Sequence, residues 1–196
     1  MKIGIFGGSF SPVHNGHINA AKRFISQFSL DWLYIVPARF PPHKALDGGA
    51  SDADRFNMLK LAFDGTEHVL ISDFELKRDA ASYTYHTLLH YQPEGELYML
   101  CGTDMFMCLE SWYRSADVIK MCRTVCALRG EADRRAVLER SAYYRKKYAA
   151  ESDILDCEAI GVSSTAIRRA VVSGEDISGY VPESVRKYII ENGLYL

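Results

Sequence analysis

The chain has 196 residues, a length typical of one domain, and we expect a single domain over residues 1–196. Its formal net charge of −2 gives no overall attraction for nucleic acid or for a membrane surface, so neither is expected as a partner. No apolar run approaches the ~20 residues of a membrane span, and no signal-peptide pattern opens the sequence. The five cysteines are odd in number and lie mostly in apolar runs, which favours free thiols in a reducing compartment. We therefore expect a cytoplasmic protein.

Short apolar runs alternate with amphipathic segments along the chain. The apolar runs predict strands at Lys2–Phe6, Leu33–Val36, Val69–Ile71, Leu97–Cys101, Thr124–Leu128 and Ile154–Ala159. The amphipathic segments predict helices at Gly16–Phe28, Ala53–Phe63, Tyr83–Tyr91 and Glu131–Ala149, with another beginning near Thr165. The prolines and glycines of residues 38–52 predict an irregular segment. This alternation predicts an α/β fold whose sheet is mostly parallel, with ligands bound outside the carboxyl ends of its strands.

The stretch "GGSFSPVHNGH", residues 7–17, lies between the first predicted strand and the first predicted helix. Gly7 and Gly8 would allow strained backbone angles and a close approach to a ligand. A helix beginning near Asn15 would direct its free N–H groups at the same space, and His14 and His17 would share one face of its first turn. This pattern predicts a phosphate site. A glycine turn with a helix-capping histidine, and a histidine pair for a metal, are the alternatives.

A second stretch, "GVSSTAIRRA" at residues 161–170, has a similar chemistry. Ser163 or Ser164 is suited to cap a helix near Thr165, whose first turn would bind an anion, and Arg168 lies one turn further on. An ordinary serine cap beside a solvated arginine is the alternative. Two such sites suit one polyphosphate. The P-loop motif is missing, and so is the glycine pattern of dinucleotide-binding dehydrogenases.

Together these two stretches resemble the motifs of the nucleotidylyltransferase superfamily. Further blocks narrow the resemblance to the bacterial nicotinate-nucleotide adenylyltransferases. In chain order they are "VPARFPPHK", "DRFNMLKLA", "SYTYHTL", "CGTDMFMCLESW" and "VPESVRKYIIENGLY". The resemblance implies a Rossmann-like nucleotidylyltransferase fold with helices on both faces of the sheet. It also implies transfer of AMP from ATP to nicotinate mononucleotide, which yields nicotinate adenine dinucleotide and pyrophosphate in NAD biosynthesis.

The resemblance also assigns roles to individual residues. It implies catalytic roles for His14, His17 and Arg168. It implies ATP-binding roles for Gly7, Gly8, Ser9, Phe10, Lys44, Gly102, Asp104, Ser163, Ser164 and Thr165. Thr84 and Trp112 would frame the nicotinate ring of the acceptor substrate. Mg²⁺ is the expected cofactor, and no protein ligand is assigned to it because this ion usually bridges phosphate oxygens.

Some of these assignments have simpler alternatives. Trp112 follows an apolar run and would ordinarily belong to a core, and Lys44 lies in a loop where an idle solvated lysine is common. The opening block has Ser11 where the family usually has aspartate, which puts the rigidity of that loop in doubt.

Three other functions are kept open beside the proposed transfer. The protein could adenylylate another acceptor, such as nicotinamide mononucleotide or phosphopantetheine, or it could be a nucleotide-binding regulator without turnover. An RNA-binding module is the third, suggested by tyrosines interleaved with basic residues between Tyr143 and Tyr148 and disfavoured by the acidic net charge. Assembly into a homo-oligomer is left open.

Overall fold

The computed structural model describes residues 1–41, 49–128, 130–157 and 161–196. Within these ranges the strands are β1 Lys2–Gly8, β2 Trp32–Pro37, β3 Val69–Ile71, β4 Glu96–Gly102, β5 Arg123–Ala127 and β6 Ser152–Leu155. The helices are α1 Asn15–Phe28, α2 Asp52–Ala62, α3 Thr84–Tyr91, α4 Thr103–Met107, α5 Ser115–Met121, α6 Arg134–Tyr148, α7 Ser164–Val172 and α8 Glu183–Glu191. None of the helices in this part of the chain is long and apolar enough to cross a membrane.

The six strands form one parallel sheet in the order β3-β2-β1-β4-β5-β6. The chain moves outward from β1 through β2 to β3, then returns to β4 and moves outward on the other side. The strand order therefore reverses between β1 and β4. In open α/β sheets the crevice at such a reversal, outside the carboxyl ends of the two strands, is where ligands bind. The predicted α/β fold is confirmed, and the crevice in which we expect a ligand lies beside the ends of β1 and β4.

Apolar side chains form a core on each face of the sheet. One core joins β1 and β2 to helices α1, α2, α7 and α8, and the other joins β1 and β4 to α3, α4, α5 and α6. The alternation of β1 explains the division, because Ile3 and Ile5 point into the second core while Gly4 faces the first. A Cβ at Gly4 would lie 2.5 Å from the Leu30 side chain and 2.9 Å from that of Leu33. Glycine at this position lets the first core approach the strand closely.

The predicted elements differ from the observed ones mainly towards the carboxyl half. Strand β6 covers Ser152–Leu155, so it begins two residues before the predicted Ile154 and ends before the predicted residues 156 and 157. Residues 158 and 159 of the prediction lie outside the described ranges. The polar Asp153 interrupts the apolar pattern that predicts a strand. In the fold it is accommodated because it accepts hydrogen bonds from the Arg123 guanidinium on the neighbouring β5. Helices α4, α5 and α8 were not predicted. The first two have five and seven residues, too few to show a helical period.

Candidate active site

The loop after β1 forms the rim of the binding crevice. Gly7 and Gly8 end the strand in register with Val36 and Pro37 of β2. A Cβ at Gly7 would meet only the Val36 carbonyl oxygen, at 4.0 Å, so the backbone there faces open space. This agrees with the predicted close approach to a ligand. The predicted strain is misplaced, because neither glycine has a left-handed φ and Phe10 instead adopts φ 46°.

Phe10 is buried, and its side chain belongs to the first core. Its ring packs edge-on against Phe6, with ring centroids 5.4 Å apart, and against His17 at 5.0 Å. This packing holds the left-handed backbone of Phe10 in place and turns the chain away from the strand. The ATP contact assigned to Phe10 by the resemblance could therefore involve only its main chain. The side chain supports His17 from behind.

His14 and His17 lie together at the start of α1. His14 is the N-cap residue of the helix, and the two imidazole rings are stacked with centroids 3.7 Å apart and planes 25° apart. The prediction that they share one face of the first turn is confirmed. Burial lowers the pKa of His14 to about 4. Burial and the neighbouring His14 together hold the pKa of His17 well below its usual range, so both rings are neutral at pH 7.

The hydrogen bonds of the pair indicate which nitrogen of His17 carries the proton. The backbone N–H of His14 donates to Nδ1 of His17 at 3.3 Å. Because Nδ1 accepts a hydrogen bond, the proton of the neutral ring is assigned to Nε2, which becomes a donor. Nδ1 of His14 is buried and has no hydrogen-bond partner among the described residues. A buried polar atom in this condition costs about 1–3 kcal/mol.

Helix α7 brings the second motif to the same place. Ser163 is its N-cap, and the Ser163 hydroxyl accepts from the backbone N–H of Ala166 at 3.2 Å. The Ser164 hydroxyl donates to the Pro12 carbonyl at 2.9 Å. Arg168 donates through Nη1 to the Ser11 carbonyl, also at 2.9 Å. These contacts join residues 152 and 157 positions apart in the sequence, so the two stretches predicted to bind an anion lie side by side.

Ser11 occupies the position where the family usually has aspartate. It is buried, its hydroxyl hydrogen-bonds the Tyr195 hydroxyl at 3.2 Å, and its carbonyl accepts the Arg168 bond. Tyr195 is held in turn by a backbone bond to the Gly49 carbonyl at 3.2 Å. The loop is therefore fixed from two sides at the residue where its rigidity was in doubt.

A cavity of about 480 Å³ opens from the same rim, between the ends of β1 and β4. Gly7, Gly8 and Ser9 form the part of its lining that adjoins the phosphate motifs. Further residues of the lining include Thr84, Gly102, Asp104 and Trp112, assigned by the resemblance to the two substrates. Trp112 is half-buried, packs against the second core and also faces this cavity. Both interpretations of the tryptophan therefore describe part of its environment.

Two buried charged residues near the site were missed by the sequence reasoning. Arg55, on α2, is 1% exposed and donates to the Ser9 carbonyl at 2.8 Å and to Asp52 at 2.6 Å. Glu75 is 6% exposed and lines the cavity. A charged residue ordinarily lies in solvent, so the residue type argued against burial at both positions, although Phe56 follows Arg55 and Phe74 and Leu76 flank Glu75.

The described residues do not test the ATP-binding role of Lys44, and they offer no cluster of ligands for a metal ion. Lys44 falls in residues 42–48, outside the described ranges. Among the residues that the structure describes, no group of three or more His, Cys, Asp and Glu side chains is arranged to hold a metal ion. Around the amino-terminal starts of α1 and α7 the site offers hydrogen-bond donors and the Arg168 guanidinium. This chemistry suits an anion.

The fold and this site define a protein of the nucleotidylyltransferase type. Residues 5–170 match the family model described as Cytidylyltransferase-like. The structure is also similar to a solved one, "Plasmodium falciparum nicotinic acid mononucleotide adenylyltransferase complexed with NaAD", with a TM-score of 0.80. The two chains share 19% identity, and the similarity covers 99% of this chain and 97% of the other.

Two curated relatives narrow the family. A Synechococcus protein named "Probable nicotinate-nucleotide adenylyltransferase" is 38% identical, over all of this chain and 95% of the relative. A Clostridium acetobutylicum protein of the same name is 36% identical, over all of this chain and 99% of the relative. The chain belongs to the nicotinate-nucleotide adenylyltransferase family.

Proposed function

We propose that this protein transfers AMP from ATP to nicotinate mononucleotide and releases pyrophosphate. The observation that carries the proposal is the contact of Arg168 with the Ser11 carbonyl and of Ser164 with the Pro12 carbonyl. These contacts bring the starts of α1 and α7 together at the mouth of a cavity large enough for part of a nucleotide. The names of the relatives, and the NaAD complex of the Plasmodium protein, support the same reaction.

The site fits a direct displacement. A phosphate oxygen of the acceptor forms a bond to the α-phosphorus of ATP, the bond from that phosphorus to the pyrophosphate breaks, and pyrophosphate leaves with the electron pair. Such a reaction depends on positioning and on stabilisation of charge, and it needs no covalent intermediate. This agrees with a site that offers donors, namely Nε2 of His17, the Arg168 guanidinium and the N–H groups of two helix starts.

The two parts of the site would then receive different parts of the substrates. The triphosphate would lie on the phosphate half, which we define as His14, His17, Ser163, Ser164, Thr165 and Arg168. Thr84 and Trp112 would frame the nicotinate ring, while Gly102 and Asp104 would contact the adenosine side. We call the part of the cavity that Thr84 and Trp112 line the acceptor cavity. Gly7, Gly8 and Ser9 form the rim shared by both parts.

Two predictions from the sequence are kept: Mg²⁺ as the cofactor and the cytoplasm as the compartment. We expect Mg²⁺ to enter on ATP, where it neutralises phosphate charge and needs few protein ligands. This fits a phosphate half that supplies donors and no carboxylate. The five cysteines are free, which suits the cytoplasm.

The test is pyrophosphate release from ATP with three acceptors in parallel: nicotinate mononucleotide, nicotinamide mononucleotide and phosphopantetheine. We expect nicotinate mononucleotide to give the highest kcat/KM. Preference for one of the other two would assign the protein another acceptor. ATP binding without pyrophosphate release from any of them would identify a regulator.

A further inference from the structure

Glu75 is a buried acid on the segment between β3 and α3, and it lines the acceptor cavity. A carboxylate in such a place is unfavourable unless hydrogen bonds compensate the loss of water. The Thr87 hydroxyl provides one by donating to the Glu75 carboxylate at 2.5 Å, and the Ser82 hydroxyl lies close enough to act on the same carboxylate. Burial raises the pKa of Glu75, while these two hydroxyls and the nearby Arg78 and Arg55 oppose that rise.

The Ser82 hydroxyl joins Glu75 to a second segment of the chain. Its oxygen accepts the backbone N–H of Arg39 at 3.0 Å and that of Phe40 at 3.1 Å. A hydroxyl oxygen has two lone pairs, and both are used by these bonds. Its single proton is therefore left to face the nearby Glu75 carboxylate. The backbone N–H of Ser82 also donates to the Phe40 carbonyl at 3.0 Å.

The Thr87 hydroxyl joins the same carboxylate to helix α3. Thr87 lies one turn after Thr84, which begins the helix and lines the acceptor cavity. On the other segment, Ala38 and Pro41 line the cavity on either side of the residues that Ser82 holds. One carboxylate thus fixes, through two hydroxyls, two segments of the cavity wall.

We propose that Glu75 is a positioning residue for the acceptor: through Ser82 and Thr87 it sets the distance between residues 38–41 and the start of α3. This inference rests on the proposed function, in which that cavity receives the acceptor. Among the described residues, the contacts of Glu75 reach neither the phosphate half nor Gly102 and Asp104, which the proposed function gives to the adenosine side. We therefore expect the affinity for the acceptor to depend on Glu75 and the affinity for ATP not to.

The first variant to test is Glu75→Gln, which keeps the shape and removes one acceptor. An amide nitrogen turned towards Ser82 would meet an oxygen whose lone pairs are both used, and one turned towards Thr87 would displace the proton of that hydroxyl. We expect the KM for nicotinate mononucleotide to rise about tenfold, the scale of losing a hydrogen bond to a charged group, while the KM for ATP stays unchanged. Calorimetry should show the same rise in the Kd of nicotinate mononucleotide.

Glu94→Gln is the matched control. Glu94 also accepts from a hydroxyl, that of Tyr34 at 2.7 Å, and it does not line the acceptor cavity. We expect both KM values of this variant to equal those of the unmodified protein.

A second pair of variants covers the case in which Glu75→Gln does not fold. Thr87→Val keeps the side-chain shape and removes the hydroxyl, whereas Thr87→Ser keeps the hydroxyl. We expect Thr87→Val to raise the acceptor KM severalfold and Thr87→Ser to recover most of that loss.

The outcomes separate this inference from the proposed function. An acceptor KM that stays unchanged in Glu75→Gln, or an equal rise in both KM values, overturns the role of Glu75. So does a fall in kcat alone that follows the unfolded fraction, because that result indicates a purely structural residue. A wild-type protein that binds nicotinate mononucleotide without releasing pyrophosphate overturns the proposed function alone, and the Kd comparison then still decides on Glu75.

Discussion

The phosphate half and the acceptor cavity meet at Gly7, Gly8 and Ser9, yet the protein builds them differently. The phosphate half consists of two helix starts, each supplied by a short run of sequence, and it is closed by contacts to the Ser11 and Pro12 carbonyls. The acceptor cavity draws side chains from α3 and from the segments after β2, β3 and α4. A single change in the phosphate half should therefore affect the reacting phosphates, whereas one in the acceptor cavity should affect binding of a single substrate.

The largest effect is expected for His17→Ala. Loss of the Nε2 donor should lower kcat by ~10²–10³, the scale of removing one preorganised donor from a developing charge. Steady-state pyrophosphate release measures it. The control is His90→Ala, since His90 is an exposed histidine on α3 whose ring stacks on Phe74. A kcat within about twofold of wild type would exclude His17 from the mechanism.

Arg168→Lys should be the next most damaging change. The guanidinium donates to Ser11 through Nη1 and towards the Thr165 hydroxyl, 3.4 Å away, through Nη2. A lysine ammonium cannot hold this geometry and also make a two-pronged contact to phosphate. We expect kcat/KM for ATP to fall roughly 10–100-fold, the scale of a lost bond to a charged group.

Arg169→Lys is the matched control for that variant, because Arg169 is the exposed neighbour on the same helix. It should leave the ATP kinetics as in wild type. Equal behaviour of the two lysine variants would remove Arg168 from the phosphate half.

The buried histidine pair also predicts how stability depends on pH. The folded-state pKa of His14, about 4, lies below its ordinary value of 6.5, so the unfolded chain binds the proton more readily between these values. The contribution of His14 to the free energy of unfolding is fully present above pH 6.5 and is lost as the pH falls towards 4. Between about pH 7.5 and pH 5 the contribution of His14 is about 2 kcal/mol.

Urea unfolding of wild type and His14→Asn at both pH values measures this contribution. Asparagine is suitable because it also caps helices well. The free energy of unfolding of wild type should fall by about 2 kcal/mol more than that of the variant. Parallel losses in the two proteins would mean that His14 titrates normally in the fold.

The smallest effect belongs to the acceptor cavity. Trp112→Phe keeps an aromatic ring against the second core but reduces the area offered to the nicotinate ring. We expect the KM for nicotinate mononucleotide to rise about fivefold, as for a weakened aromatic contact, with the KM for ATP unchanged. Trp32→Phe, on β2 and outside the cavity lining, is the control. A larger effect on ATP than on the acceptor would reverse the assignment of the two parts.

The same contrast explains what could be predicted from the sequence. The order and type of the strands follow from local hydrophobic patterns, and the stacked histidines and the Ser163 cap depend on residues within one turn of helix. The meeting of the two motifs could be inferred because two anion sites suit one polyphosphate. The strands, the stacked histidines and the helix cap are encoded by neighbouring residues, whereas the meeting of the motifs is inferred from their shared chemistry.

The rest depends on contacts between distant segments. Arg55 and Glu75 are buried because of what packs over them, although charged residues ordinarily lie in solvent. The left-handed backbone of Phe10 is held by the rings of Phe6 and His17, so the adjacent glycines gave a misleading signal. Helices of five and seven residues, such as α4 and α5, are set by the strands and helices around them.

The most direct test of the central claim is a crystal structure of the protein with a non-hydrolysable ATP analogue. We expect one triphosphate to accept hydrogen bonds from Nε2 of His17 and from the Arg168 guanidinium together. A triphosphate that touches the start of only one of the two helices, with the other motif left in solvent, would contradict the account.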